Sequence, residues 1–175
     1  MPIDSTKEFK PINISVLTIS DTRTEATDKS GQILAKKIKE KGHGLTHKQI
    51  VRDDKEEIKK ILLEWCNNNS VDVILTTGGT GLTGRDTTPE ALEEIKNKDI
   101  PGFGELFRLI SYKKIGASTI QSRAMAVLAK GTYIFALPGS TGAVTDAWED
   151  ILKTQLDSRF SPCNFIDLIP RLLEK

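Results

Sequence analysis

Cysteine is scarce: Cys66 and Cys163 are the only two in 175 residues, and they stand far apart. Two such thiols form no disulfide framework, and a pair of buried thiols in a reducing compartment is expected. Histidine is equally scarce, with His43 and His47 four apart in KGHGLTHKQ. That spacing chelates a metal only on a helix; Gly42 and Gly44 oppose one, so a solvent-facing turn is expected. A charge excess is missing too, since 25 basic and 24 acidic residues leave a net +1. Nucleic acid is therefore not an expected partner, because a phosphate backbone calls for concentrated basic surface. No apolar run reaches the ~20 residues of a membrane span. The opening MPIDSTKEFKPINI lacks the cationic-then-apolar layout of a secretory signal. The expectation is a cytoplasmic protein without membrane contact. With no repeat, low-complexity tract or linker, residues 1–175 read as one domain long enough for a continuous core.

What is present is an alternation of strands and helices. NISVLTIS (13–20), the shorter THKQIVR (46–52) and VDVILTT (71–77) are β-branched or apolar runs. Between them, Gly31 to Lys41 reads as a helix stopped by Gly42. Ile58, Ile61, Leu62 and Trp65 make one apolar helical stripe, with Asp54 as N-cap and Glu57 three residues on. A further helix starts near Pro89 and runs to about Lys96, capped either by Thr87 with Glu90 or by Thr88. Phe103, Leu106, Phe107 and Ile110 mark an amphipathic helix behind PGFG. AMAVLAKGTYIFALPGS holds two strands around a Lys130-Gly131 turn. Val144, Ala147, Trp148, Ile151 and Leu152 then stripe a final long helix, and the tail from Pro162 is irregular or a short helix. The pattern implies an α/β fold: a three-layer α/β/α sandwich around a mostly parallel, mixed sheet with one antiparallel strand.

Three strand ends open into small polar turns: TISDTR, TTGGTGLTGRD and ALPGSTG. In an open α/β sheet, ligands gather outside the carboxyl ends of the strands, so the three turns are expected to share a crevice. Gly78, Gly79 and Gly81 admit positive φ and let a ligand approach backbone amides. Such amides suit an anion, most often phosphate. Thr80 and Thr83 add hydroxyls, and Arg85 adds a fixed cation. Gly139, Ser140 and Thr141 repeat this logic before the last helix. Ser122 and Arg123 offer a hydroxyl and a cation just ahead of the hairpin. The motif is neither a Walker A loop nor a G-x-G-x-x-G fingerprint.

Asp86 needs a separate explanation. A carboxylate beside bound phosphate repels it unless a divalent cation lies between them, and Mg²⁺ takes one or two carboxylates plus phosphate oxygens. Metal anchor and helix-capping aspartate are both open readings. Asp53 poses the same choice. If Asp54 caps its helix, Asp53 points toward the crevice, where it can orient substrate or help hold a cation.

TTGGTGLTGRDTTPEAL, with PGFGELFR, QSRA and LPGS, resembles the molybdenum cofactor biosynthesis proteins of the MoaB/MogA type. The likeness runs from about Asn13 to the tail, and DKSG (28–31) and RDD (52–54) also fall on matching segments. The QLDSRFSPCNF and FRLISYKKIGASTIQSRA segments resemble the MoaB branch more than the MogA branch. The resemblance implies a molybdopterin-binding-like fold assembled as homotrimers or homohexamers. It also implies that molybdopterin is joined to AMP from Mg-ATP, releasing pyrophosphate. Matched onto this chain, the essential acids are Asp53 and Asp86, with Asp86 toward Mg²⁺. The phosphate loops match Gly78 to Gly81 and Pro138, Gly139 and Ser140. Ser122 matches a serine of the pterin site, and Ser30 of DKSG and Asp21 of the TISDTR turn are further expected substrate contacts. After the glycine turn, Arg85, Asp86 and Thr88 are all present, as the resemblance to adenylylating members implies. Gly84 departs from the proline common in other members. A non-catalytic molybdopterin carrier is the alternative reading.

Overall fold

The computed structural model describes residues 3–174. In chain order the elements are β1 (Asn13–Ile19), α1 (Lys29–Lys41), β2 (Gly44–Val51), α2 (Lys55–Cys66), β3 (Val73–Thr77) and α3 (Thr88–Ile95). They continue with β4 (Lys98–Asp99), α4 (Pro101–Ile115), β5 (Met125–Ala129), β6 (Thr132–Leu137), α5 (Thr141–Ala147) and α6 (Lys153–Gln155). A 3-10 turn (Gly116–Gln121) follows α4, a π turn (Trp148–Leu152) joins α5 to α6, and a second 3-10 turn covers Ile166–Arg171.

The six strands lie in the order β2-β1-β3-β6-β5-β4. β2, β1, β3 and β6 are mutually parallel, and β5 runs against both of its neighbours. The sheet is thus mostly parallel with one reversed strand, as the hairpin signal implied. Lys130 and Gly131 take φ of 50° and 84°, the left-handed pair that a tight two-residue hairpin turn requires. Every residue of β3 and β6 is buried, which is why both read as unbroken apolar runs.

Two cores flank the sheet. On β1, Ile14 and Val16 face one side with Leu34, Ile38, Phe103, Phe107, Val144 and Trp148. Leu17 and Ile19 face the other with Ile58, Leu62, Trp65, Ala91 and Leu92. Helices α1, α4 and α5 therefore cover one face and α2 and α3 the other. The final stripe is buried as expected, but its helix carries a π turn over its middle.

Several local expectations change. α1 begins at Lys29, because Asp28 caps it by accepting from the Gly31 amide at 3.0 Å. α4 includes PGFG, starting at Pro101. β4 pairs only two residues, too few to leave a sequence pattern. His43 and His47 do not form a solvent-facing turn. The chain leaves Gly42 directly into β2, which buries His43, whose Nδ1 accepts from the Ile12 amide at 3.3 Å. The His47 ring stacks on Trp65, with centroids 5.2 Å apart. The two cysteines are free; Cys66 is buried, which pushes its thiol up to about 11, but Cys163 is exposed. Among the described residues, no helix is long and apolar enough to cross a membrane.

Candidate functional site

The strand order reverses between β1 and β3, since β1 leads outward to β2 while β3 lies on its other side. That is where a crevice forms in an open α/β sheet. Gly78 and Gly79 leave β3 with φ of 108° and 63°. A Cβ on Gly78 would stand 2.2 Å from the Ile19 carbonyl oxygen, and one on Gly79 would stand 2.3 Å from Thr88 Oγ1. The glycines therefore answer both a backbone angle and close packing between β1 and α3. The turn is pinned further. The Gly78 amide donates to the Leu137 carbonyl at 3.0 Å, and Thr88 Oγ1 donates to the Gly78 carbonyl at 3.0 Å.

The second glycine turn lies beside the first. A Cβ on Gly139 would be 3.4 Å from Gly78 Cα, and Thr77 Oγ1 donates to the Pro138 carbonyl at 3.1 Å. Between them opens a cleft of about 390 Å³. Its walls are Gly78, Gly79, Thr80 and Gly81 from one turn, and Pro138, Gly139 and Ser140 from the other. Asp86, Gln121 and Ser122 complete the rim. Among the described residues, the amides of Gly79, Thr80 and Ser140 donate to no backbone carbonyl. A cleft lined by free amides suits a phosphate group.

Asp86 stands on this wall, and its Oδ2 accepts from both the amide and the hydroxyl of Thr83, at 2.8 and 2.6 Å. The Thr83 hydroxyl bond, against some burial, holds the carboxyl below its ordinary range. Oδ2 thus closes the loop, and the Gly81 backbone also holds the carboxyl down. Asp53 sits behind the first turn, where its Oδ1 accepts from the Thr87 amide and hydroxyl at 3.2 Å each. Asp54 caps α2 through bonds from the Glu56 and Glu57 amides as expected, but Asp53 turns to Thr87 and does not line the cleft. Burial pushes the Asp53 carboxyl upward, the Thr87 bonds oppose this, and the charges of Asp86 and Asp21 add to the rise. Three acids therefore share one region. Among the described residues, however, no cluster of three His, Cys, Asp or Glu side chains could hold a metal ion. The donor set fits a cation that arrives on phosphate oxygens rather than a resident one.

The remaining expected residues do not line the cleft. Asp21 accepts from the Asp53 amide at 3.2 Å and lies 3.7 Å from Arg85 Nη1. Arg85 is 82% exposed and free to reach outward. Thr83 is spent on Asp86. Ser30 is buried, and its hydroxyl donates to the Gly139 carbonyl at 2.9 Å. Arg123 braces the loop instead of facing a ligand. Its Nε donates to the Gly81 carbonyl and its Nη2 to the Asp86 carbonyl, both at 2.7 Å, and its Nη1 pairs with Glu90. That pairing removes the reciprocal Thr87–Glu90 cap. Thr87 takes the cap position without a side-chain cap bond, and Thr88 donates to Gly78. Gln121 carried no sequence pattern, because a 3-10 turn brings it to the rim.

The family model described as "Probable molybdopterin binding domain" matches residues 15–158, a span that holds both glycine turns and both acids. Molybdenum cofactor biosynthesis protein B of Escherichia coli K12 is 47% identical over 158 residues, covering 90% of this chain and 93% of that protein. A crystal structure of molybdenum cofactor biosynthesis protein B superposes with a TM-score of 0.83 at 47% identity, over 86% of this chain and 94% of the other. The tungsten cofactor synthesizing protein MoaB from Pyrococcus furiosus superposes with a TM-score of 0.74 at 36% identity, over 82% and 91% of the two chains.

Proposed function

The chain belongs to the molybdopterin-binding domain family and acts in molybdenum cofactor biosynthesis; from this premise we propose that it adenylylates molybdopterin with Mg-ATP. The molybdopterin phosphate oxygen forms a bond to the α-phosphorus of ATP, the bond from that phosphorus to the bridging oxygen of the β-phosphate breaks, and pyrophosphate leaves. A phosphate nucleophile is already ionised at neutral pH, so the protein's task is positioning and charge neutralisation. The glycine-turn amides and Ser122 would hold the phosphates, with Arg85 reaching in from the exposed rim. The magnesium carried on the triphosphate would meet the Asp86 carboxylate, with Asp53 and Asp21 adding negative potential behind it.

The observation that carries this reading is a carboxylate, Asp86, on the same wall as two turns built to receive phosphate. A non-catalytic molybdopterin carrier is the second reading, favoured by the use of Asp86 Oδ2 as a loop cap. Purified protein incubated with molybdopterin, ATP and Mg²⁺ separates them. Adenylylated molybdopterin and pyrophosphate are expected; molybdopterin binding without either product would leave only the carrier.

Assembly belongs to the same proposal. Phe103 and Phe107 of α4 face the core, while Leu106, Leu109, Tyr112 and Ile115 are exposed and Ile120 on the following turn is 84% exposed. Cover of this face by a second copy is our reading, in a homotrimer or homohexamer. It would also brace the 3-10 turn that carries Gln121 to the cleft.

A further inference from the structure

The second turn packs directly on the first, since a Cβ on Gly139 would stand in van der Waals contact with Gly78 Cα at 3.4 Å. Lacking a Cβ, Gly139 leaves that backbone free to rotate. A rotated Gly139–Ser140 peptide would swing a carbonyl oxygen into the cleft, where it repels an anion, and would withdraw the Ser140 amide. The structure contains a brace against this. Arg23 Nη2 donates to the Gly139 carbonyl at 2.8 Å, and Ser30 Oγ donates to the same oxygen at 2.9 Å. Arg23 Nη1 also donates to Ser30 Oγ, and it lies 3.7 Å from the carboxylate of fully buried Asp28. Asp28 is fixed in turn by Thr18 Oγ1 at 2.8 Å and Lys48 Nζ at 3.4 Å.

The geometry points to Arg23 as the positioning residue of the anion cleft, acting through the Gly139–Ser140 peptide. In a planar trans peptide the C=O and the next N–H point in opposite directions. With the Gly139 oxygen drawn toward Arg23 and Ser30, the Ser140 N–H faces the cleft that both residues line. Arg23 never needs to touch the ligand. It keeps one wall of the cleft a donor instead of an acceptor. This rests on the phosphate-binding part of the proposed function, and its ligand is the phosphate group of the substrates.

The test titrates inorganic phosphate into ¹⁵N-labelled protein and follows the amide signals of Ser140, Gly79 and Thr80. In the wild type all three shift saturably. Arg23→Met weakens phosphate binding about tenfold, the order expected of one charge-assisted hydrogen bond, and abolishes the Ser140 shift while Gly79 and Thr80 still respond. Arg23→Lys, which restores a single cationic donor, recovers part of both. If Arg23→Met does not fold, Ser30→Ala, which deletes one of the two donors to Gly139, reads the same loss at smaller size. Phosphate affinity within about twofold of wild type with an unchanged Ser140 shift overturns the inference, as does a wild-type Ser140 amide that ignores phosphate. Run alongside, the adenylylation assay tells this failure from that of the proposed chemistry. Product formed by wild type and Arg23→Met with equal KM for ATP sinks the inference alone. Absence of product, with the Ser140 response still lost in Arg23→Met, sinks the chemistry and leaves the inference standing.

Discussion

Replacing Asp86 by asparagine separates two tasks that alanine removes together. The amide side chain of Asp86→Asn keeps an oxygen able to accept both bonds from Thr83, now 2.8 and 2.6 Å long, so the loop keeps its shape. It loses only the charge. Weakening two charge-assisted bonds to neutral ones on a half-exposed loop costs ~1 kcal/mol or less, whereas Asp86→Ala loses both and costs ~1–3 kcal/mol. Urea unfolding measures that difference. In the ligand-free protein the Asp53 carboxyl, raised in part by the Asp86 charge, moves down toward its ordinary value in Asp86→Asn, which carboxyl ¹³C NMR reads directly. If Asp86 meets the magnesium of the triphosphate, both variants lose adenylylation ~10²-fold or more, because such a contact contributes several kcal/mol to charge stabilisation. Molybdopterin affinity stays nearly unchanged in both. The reasoning is refuted if Asp86→Asn turns over like the wild type while Asp86→Ala does not, since Asp86 would then be a loop cap and nothing more.

Gly78→Ala places a methyl group 2.2 Å from the Ile19 carbonyl at a φ of 108° and is expected to destabilise the fold by ~2 kcal/mol or more. Gly84→Ala, with nothing within 4 Å, shifts the urea midpoint by no more than ~0.5 kcal/mol equivalent. Burial lowers His43 to about 4, aided by the nearby Lys41 charge and opposed by the Leu156 backbone and by Asp157. The folded value lies below the unfolded one, so this stabilisation is complete above about 6.5 and is lost as pH falls toward about 4, up to about 3 kcal/mol. His43→Asn, which retains an acceptor for the Ile12 amide, flattens the stability profile in that window. Leu109→Glu with Ile115→Glu charges the exposed face of α4, and light scattering is expected to register the 19.3 kDa protomer instead of an oligomer.

Much of this molecule is written locally. Apolar runs such as VDVILTT, the stripe from Ile58 to Trp65 and the Lys130-Gly131 turn each carry their conformation within a few residues, because backbone sterics and alternating burial act over that range. The glycine turns and their nearness to Asp86 were legible for the same reason, since a strand end, two glycines and a helix start make one continuous segment. Asp54 as a cap, and Asp53 left over beside it, needed only the neighbouring residues.

Side-chain partners were a different matter. Arg123 belonged with the expected ligand contacts until the fold brought it, 42 residues along the chain, against the Gly81 carbonyl. Ser30 and Arg23 reach a carbonyl more than 100 residues away. His43 looked exposed between two glycines, yet the distant segment carrying Phe9 and Ile12 packs against it. The amino-acid order by itself determined which segments are strands, helices and phosphate-receiving turns, and which family they compose. Only the tertiary structure decided which cations and hydroxyls face the cleft and which hold its walls in place. Hydrogen-bond partners are chosen by distance in space, and chain order sets that distance only among near neighbours.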